Sequence, residues 1–183
     1  MLITVLVEGF SFVLDKIDPN ITIATQYNLY LLFVILYFHY FYSSIVKIHI
    51  LKNISIVVLL ITVSYILGFT RLLGYNFDTK ISVAAFVFLI FHTLMWFFHK
   101  LTFVNHLSIF NDTHFWVSCG LLFWSTFGIF RCIPMYYFYE NDRSFSDFLK
   151  ENFLAVNIIM YLLFYISMIK YERNYNREIT ARN

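Results

Sequence analysis

The sequence predicts an all-α, polytopic membrane helix bundle of about six segments, the first of them short. Three observations carry this. Of 183 residues, 60% are hydrophobic and only 13% are charged, against about 45–50% and about 25% in a soluble domain. The apolar residues fall in long continuous runs rather than in alternation, which excludes barrel strands. The runs approach the roughly 20 residues that a helix needs to cross a hydrocarbon core of about 30 Å. Half the usual charge cannot cover a globular surface, so a soluble domain, a disordered chain and a nucleic-acid binder with a basic face are all excluded. A helix is required because lipid offers backbone groups no partners. The length fits one domain, with a bundle over residues 1–170 and a polar cytoplasmic tail over 171–183.

Segment I, Leu2 to Leu14, has 13 residues, about 20 Å of helix at about 1.5 Å per residue. It is too short to cross unaided, and is expected to tilt less, thin the bilayer or pack as a half-helix. It lacks a positive flank and is interrupted by Glu8, so it is expected to be retained rather than cleaved as a signal peptide. Segment II runs from Tyr27 to Val46, III from Ile54 to Thr70 and IV from Ile81 to Phe98. Segment V runs from Phe115 to Tyr139 and contains Pro134; segment VI runs from Phe153 to Ile169. The polar joints between them, Lys47–Lys52, Arg71–Lys80, His99–Thr113 and Glu140–Lys150, are short enough to place consecutive helices antiparallel.

With six crossings, one side holds Lys47, Lys52, Lys100, Lys170, Arg173, Arg177 and Arg182. The other holds Lys16, Arg71, Lys80, Arg143 and Lys150. The bias favours both termini in the cytoplasm, as in a multi-pass protein of a cytoplasmic (inner) membrane. Tyr40, Tyr42, Tyr136, Tyr137 and Tyr139 suit the aromatic belt at the lipid–water boundary. The tail Lys170–Arg177 is expected to extend helix VI into the cytoplasm, with Lys170, Arg173 and Arg177 on one face. That face is read as an anchor to anionic headgroups or as a docking face for a partner.

Charges inside apolar runs are informative because each costs several kcal/mol unless paired or hydrated. Two stand out, Glu8 in segment I and Arg131 in segment V. Arg131 either snorkels to the interface or pairs with Glu8. Glu8 is a helix end lifted towards the headgroups, an internal polar contact, or a proton or cation site. His39 and His92 lie at similar distances from the ends of segments II and IV, which run the same way. Equal depth is what a bis-histidine haem between helices needs, and simple hydrogen bonding to neighbours is the competing reading. His99 and His106 read as interfacial polar residues.

No other catalytic or metal set is legible. Cys119 and Cys132 share one apolar run and form neither a disulfide framework nor a metal site. No H-E-x-x-H, G-x-S-x-G or phosphate-binding glycine loop occurs. Ser11, Ser64 and Ser125 are hydroxyls able to bond their own helix. The chain has no G-x-x-x-G dimer motif. Gly120, Trp124, Gly128 and Cys132 recur every four positions, small apart from Trp124. They read as a helix-packing stripe or an oligomer face. Neither internal repeats nor matched broken helices, the marks of a transporter, are found.

Three stretches carry a family resemblance: Leu6-Val7-Glu8-Gly9-Phe10-Ser11, Gln26-Tyr27-Asn28-Leu29-Tyr30-Leu31-Leu32, and His114-Phe115-Trp116-Val117-Ser118-Cys119-Gly120-Leu121-Leu122-Phe123-Trp124. They resemble a family of small multi-pass membrane proteins abundant in Bacteroidota, some of them found beside histidine kinases. The pattern implies family positions at Glu8, Asn28, Trp116 and Gly120. Family members usually carry one more helix ahead of the Glu-bearing one, so this chain is expected to be a short variant or to have its natural start upstream. The resemblance implies class and location, not chemistry.

The expected function is therefore a non-enzymatic membrane module that senses, anchors or signals through a membrane-protein partner or as a homo-oligomer. It would work in the lipid bilayer without nucleic acid, metal or other cofactor. The alternatives are a small solute or ion transporter using Glu8 and Arg131, and a structural subunit of a larger membrane complex.

Overall fold

The computed structural model describes residues 24–73, 78–103, 109–133, 138 and 141–182. These residues form five helices: α1 (Ala24–Ile45), α2 (His49–Phe69), α3 (Thr79–Thr102), α4 (Thr113–Cys132) and α5 (Arg143–Arg182), with a 3-10 turn at Ile109–Asn111. All five are long and apolar enough to cross a membrane. Segment I, with Glu8, lies outside the described residues, so the five helices correspond to segments II to VI.

Local chemistry sets the helix ends. At the end of α1 the Ser43 and Ser44 hydroxyls donate to the carbonyls of Tyr40 and Phe41, taking up groups that a continuing helix would use. Only Val46, Lys47 and Ile48 separate α1 from α2. The helix α2 closes on Thr70, whose hydroxyl donates to the Ile66 carbonyl at 2.5 Å. Asp78 opens α3 by accepting from the Lys80 N–H at 2.9 Å, and Asp142 opens α5 by accepting from the Phe145 N–H at 3.0 Å. Both are side-chain caps on otherwise orphaned donors.

The largest departure from the sequence expectation is α5. The apolar run Phe153–Ile169 is only its middle; the helix spans 40 residues, about 60 Å at about 1.5 Å per residue. The polar joint expected through Lys150 is helical from Arg143, and the helix continues past Lys170 to Arg182. Hydropathy marks the part that lipid can cover; backbone hydrogen bonding continues wherever caps and propensity allow. Segment V is likewise bounded by Cys132 as helix, and Pro134 lies outside the described residues.

The chain divides into two compact units, residues 1–92 and 93–183. In the first, the core is built from Leu31, Val34, Ile35, Tyr42, Ile66, Ile81, Phe86, Phe88 and Leu89. At one end Asn28 is fully buried. Its Nδ2 donates to the Leu72 carbonyl at 3.4 Å, and its Oδ1 accepts from the Asp78 N–H at 3.3 Å. The start of α1 is thereby tied to the α2–α3 connection. Asn28→Ala should lower stability by about 1 kcal/mol, since two backbone groups lose a partner; detergent-induced unfolding in mixed micelles would measure it.

In the second unit α4 and α5 lie antiparallel, as four contacts in sequence show. The Ser167 hydroxyl donates to the Thr113 carbonyl at 3.0 Å. Gly120 faces Leu163 and Phe164. The Trp124 indole N–H donates to Asn157 Oδ1 at 2.7 Å. Arg131 holds its guanidinium 4.8 Å from the centre of the Phe153 ring. Gly120 and Trp124 thus turn the four-residue stripe towards α5.

Candidate functional site

Two buried polar side chains of the first unit, Ser55 and His92, meet in one place. Ser55 is fully buried and, with Ile66, is one of two buried residues on α2. Its Oγ lies 3.0 Å from His39 Nδ1 on α1 and 2.8 Å from His92 Nε2 on α3. The other nitrogen of His92, Nδ1, lies 3.0 Å from the Phe88 carbonyl, one turn earlier on the same helix. The two imidazole centroids are 5.8 Å apart and nearly perpendicular. Phe88, Phe91 and Tyr42 pack their rings around His92, with centroids 4.0, 5.5 and 6.2 Å away. His92 is fully buried, and His39 is half-buried.

The bonding partners dictate the proton positions. A carbonyl only accepts, so His92 Nδ1 carries the hydrogen that bonds Phe88. In the neutral ring Nε2 must then accept, and Ser55 donates to it. Ser55 has one hydrogen, so towards His39 it accepts, and His39 Nδ1 is the donor. The neutral chain runs in one direction: His39 Nδ1–H to Ser55 Oγ–H to His92 Nε2, and His92 Nδ1–H to Phe88 O. His39 Nε2 is left with its lone pair.

The structure brings together the two histidines picked from sequence, through a serine that sequence reasoning passed over. One signal could have found Ser55. It lies six positions after the start of α2, as His39 lies six before the end of α1. Across a three-residue joint, mirrored spacing means equal depth, about 9 Å from the helix ends. In this arrangement both facing nitrogens are hydrogen-bonded to the Ser55 hydroxyl.

The remaining sequence candidates are dispersed. Glu8 lies outside the described residues, and with it any pairing to Arg131. Trp116 donates its indole N–H to the Phe110 carbonyl at 3.0 Å, fixing the turn ahead of α4. Lys170 Nζ donates to Asn111 Oδ1 at 3.2 Å, and Asn174 Nδ2 donates to the Asn111 carbonyl at 3.1 Å. Arg173 and Arg177 are exposed on α5.

A second polar cluster, also unannounced by the sequence reading, sits at the start of α4. Asp112 Oδ1 accepts from both the backbone N–H and Nδ1 of His114, each at 3.0 Å. Its Oδ2 pairs with Lys100 Nζ at 2.5 Å. Burial pushes the Asp112 carboxyl up, but the hydrogen bonds from His114 and Lys100 outweigh it and hold the group well below the usual carboxylate range. The signal was an aspartate directly ahead of an apolar run. Among the described residues no group of three or more His, Cys, Asp or Glu side chains is placed to hold a metal ion. Compared with known protein families, curated proteins and solved structures, the chain matches none.

Proposed function

We propose that this is a non-enzymatic, multi-pass module of a cytoplasmic membrane that acts through a membrane-protein partner or a second copy of itself, with both termini in the cytoplasm. One observation supports the reading most. The helix α5 does not stop where its apolar stretch stops: it continues from Lys170 to Arg182, about 20 Å beyond the run at about 1.5 Å per residue. Its base is braced, since Ser167, Lys170 and Asn174 bond Thr113 and Asn111. A braced helix leaving the bilayer, with Arg173, Asn176 and Arg177 exposed, presents a rigid polar surface to another protein. If that partner never dissociates, the same surface makes the chain a structural subunit of a larger complex. A common origin with the Bacteroidota proteins that the motifs resemble belongs to the same proposal.

A photo-crosslinking residue at Asn176 is expected to give one discrete protein adduct in intact cells. The adduct should be a dimer of the chain or one defined partner. Adducts to lipid alone would overturn the reading. The competing transporter reading is favoured by the polar side chains buried inside the first unit, and it requires ion or solute flux in vesicles containing this chain alone.

A further inference from the structure

We propose that His39, Ser55 and His92 form a binding site for a single proton, taken up at His39 Nε2 and relayed through the Ser55 hydroxyl to His92. The site does not depend on the partner reading, because all its atoms belong to one unit of one chain. The argument is the directed chain of hydrogen bonds. Every N–H and O–H in it points the same way, and the one acceptor it leaves over is His39 Nε2.

The transfer balances. A proton binds His39 Nε2, giving a cationic ring that still donates through Nδ1 to Ser55. The Nδ1 proton passes to Ser55 Oγ as the Ser55 hydroxyl proton passes to His92 Nε2. The charge then rests on His92, whose Nδ1–H keeps its bond to the Phe88 carbonyl. His39 is left neutral with its proton on Nε2, and Ser55 now donates to His39 Nδ1 while accepting from His92. One proton has entered, and the charge has moved from a half-buried ring to a fully buried one.

The surroundings are consistent with a shared proton rather than two independent ones. Around the pair, α2 contributes Ser55, α3 contributes the Phe88 and Phe91 rings, and α1 contributes the Tyr42 phenol. The nearest basic side chains along the chain, Lys47, His49 and Lys52, lie about the α1–α2 joint. Two charges on rings 5.8 Å apart would repel, so the second protonation is separated from the first and the pair titrates as a unit.

The test is nitrogen NMR of histidine-labelled protein in lipid nanodiscs across a pH series. In the neutral protein both His39 and His92 should carry their proton on Nδ1. On acidification the first step should move the signals of both rings together. Ser55→Ala should abolish the His92 response in that step and release His39 from the Nδ1–H form, while Ser55→Thr, which keeps the hydroxyl, should preserve the shared step. Finding His39 with its proton on Nε2 in the neutral wild type would overturn the proposal, whether or not Ser55→Ala folds. Unchanged titration of both rings in Ser55→Ala would overturn it equally.

Discussion

Gly120→Leu should destabilise the protein by about 3 kcal/mol, the upper end of the range for overpacking a filled interior. The reason is the close approach of α4 to α5. A Cβ at Gly120 would stand 3.1 Å from Phe164 Cε1 and 3.4 Å from Leu163 Cβ. An alanine can be accommodated if the Phe164 ring edge yields by a few tenths of an ångström, so Gly120→Ala should cost about 1 kcal/mol or less. A leucine adds three more carbons to a site where the first already requires Phe164 to yield, and the helices must separate. Without a hydrophobic driving force in lipid, helix association depends on such packing and on interhelical hydrogen bonds. Separation would therefore also strain the bond between Trp124 and Asn157, one turn further along α4. Unfolding in mixed micelles measures the stability, and Trp124 fluorescence reports the local opening. Equal stability of the leucine variant and wild type would contradict the packing described.

Asp112→Ala should cost about 2 kcal/mol. Loss of the helix cap accounts for about 1 kcal/mol, and loss of the partly buried ion pair with Lys100 accounts for up to about another. The effect is pH-dependent in a defined direction. The folded-state pKa of Asp112 is held below its unfolded value, so the carboxylate contributes stability that is present above about pH 4. That contribution is lost as the pH falls further, towards the depressed folded-state value. Stability measured from pH 6 downwards should therefore fall more steeply in wild type than in Asp112→Asn, which has no carboxylate to protonate. Parallel curves would show that the carboxylate contributes nothing through its charge.

Much of the architecture is legible in the chain because lipid is a demanding solvent. The runs Tyr27–Val46, Ile54–Thr70 and Ile81–Phe98 each fall within a few residues of a helix, since any such run must pair its backbone internally. The same reasoning misses the start of α5. Ser144, Asp147 and Lys150 ahead of the apolar run are helical without being apolar. Where water can solvate the side chains, hydropathy carries no information about the backbone.

The candidate site was half legible. Depth along parallel helices paired His39 with His92, because position along a helix is a property of spacing alone. Ser55 was not distinguished from Ser64 or Ser125, because all three are single hydroxyls in apolar surroundings. Rotation of each helix about its own axis decides which of them meets a partner, and rotation follows from the packing of whole faces. Ser55 turns inwards with Ile66, and Trp124 turns towards Asn157.

The sequence by itself determined the helical class and the approximate spans that are apolar enough to cross a membrane, since transfer of apolar side chains into lipid is a sum of local terms. Tertiary structure alone decided that a serine joins two histidines, that a glycine admits a neighbouring phenylalanine ring, and that an aspartate holds a lysine and a histidine at once. The serine–histidine and glycine–phenylalanine approaches, and the lysine's reach to the aspartate, each depend on distances of about 3 Å between residues a dozen or more positions apart, and no local pattern contains such a distance.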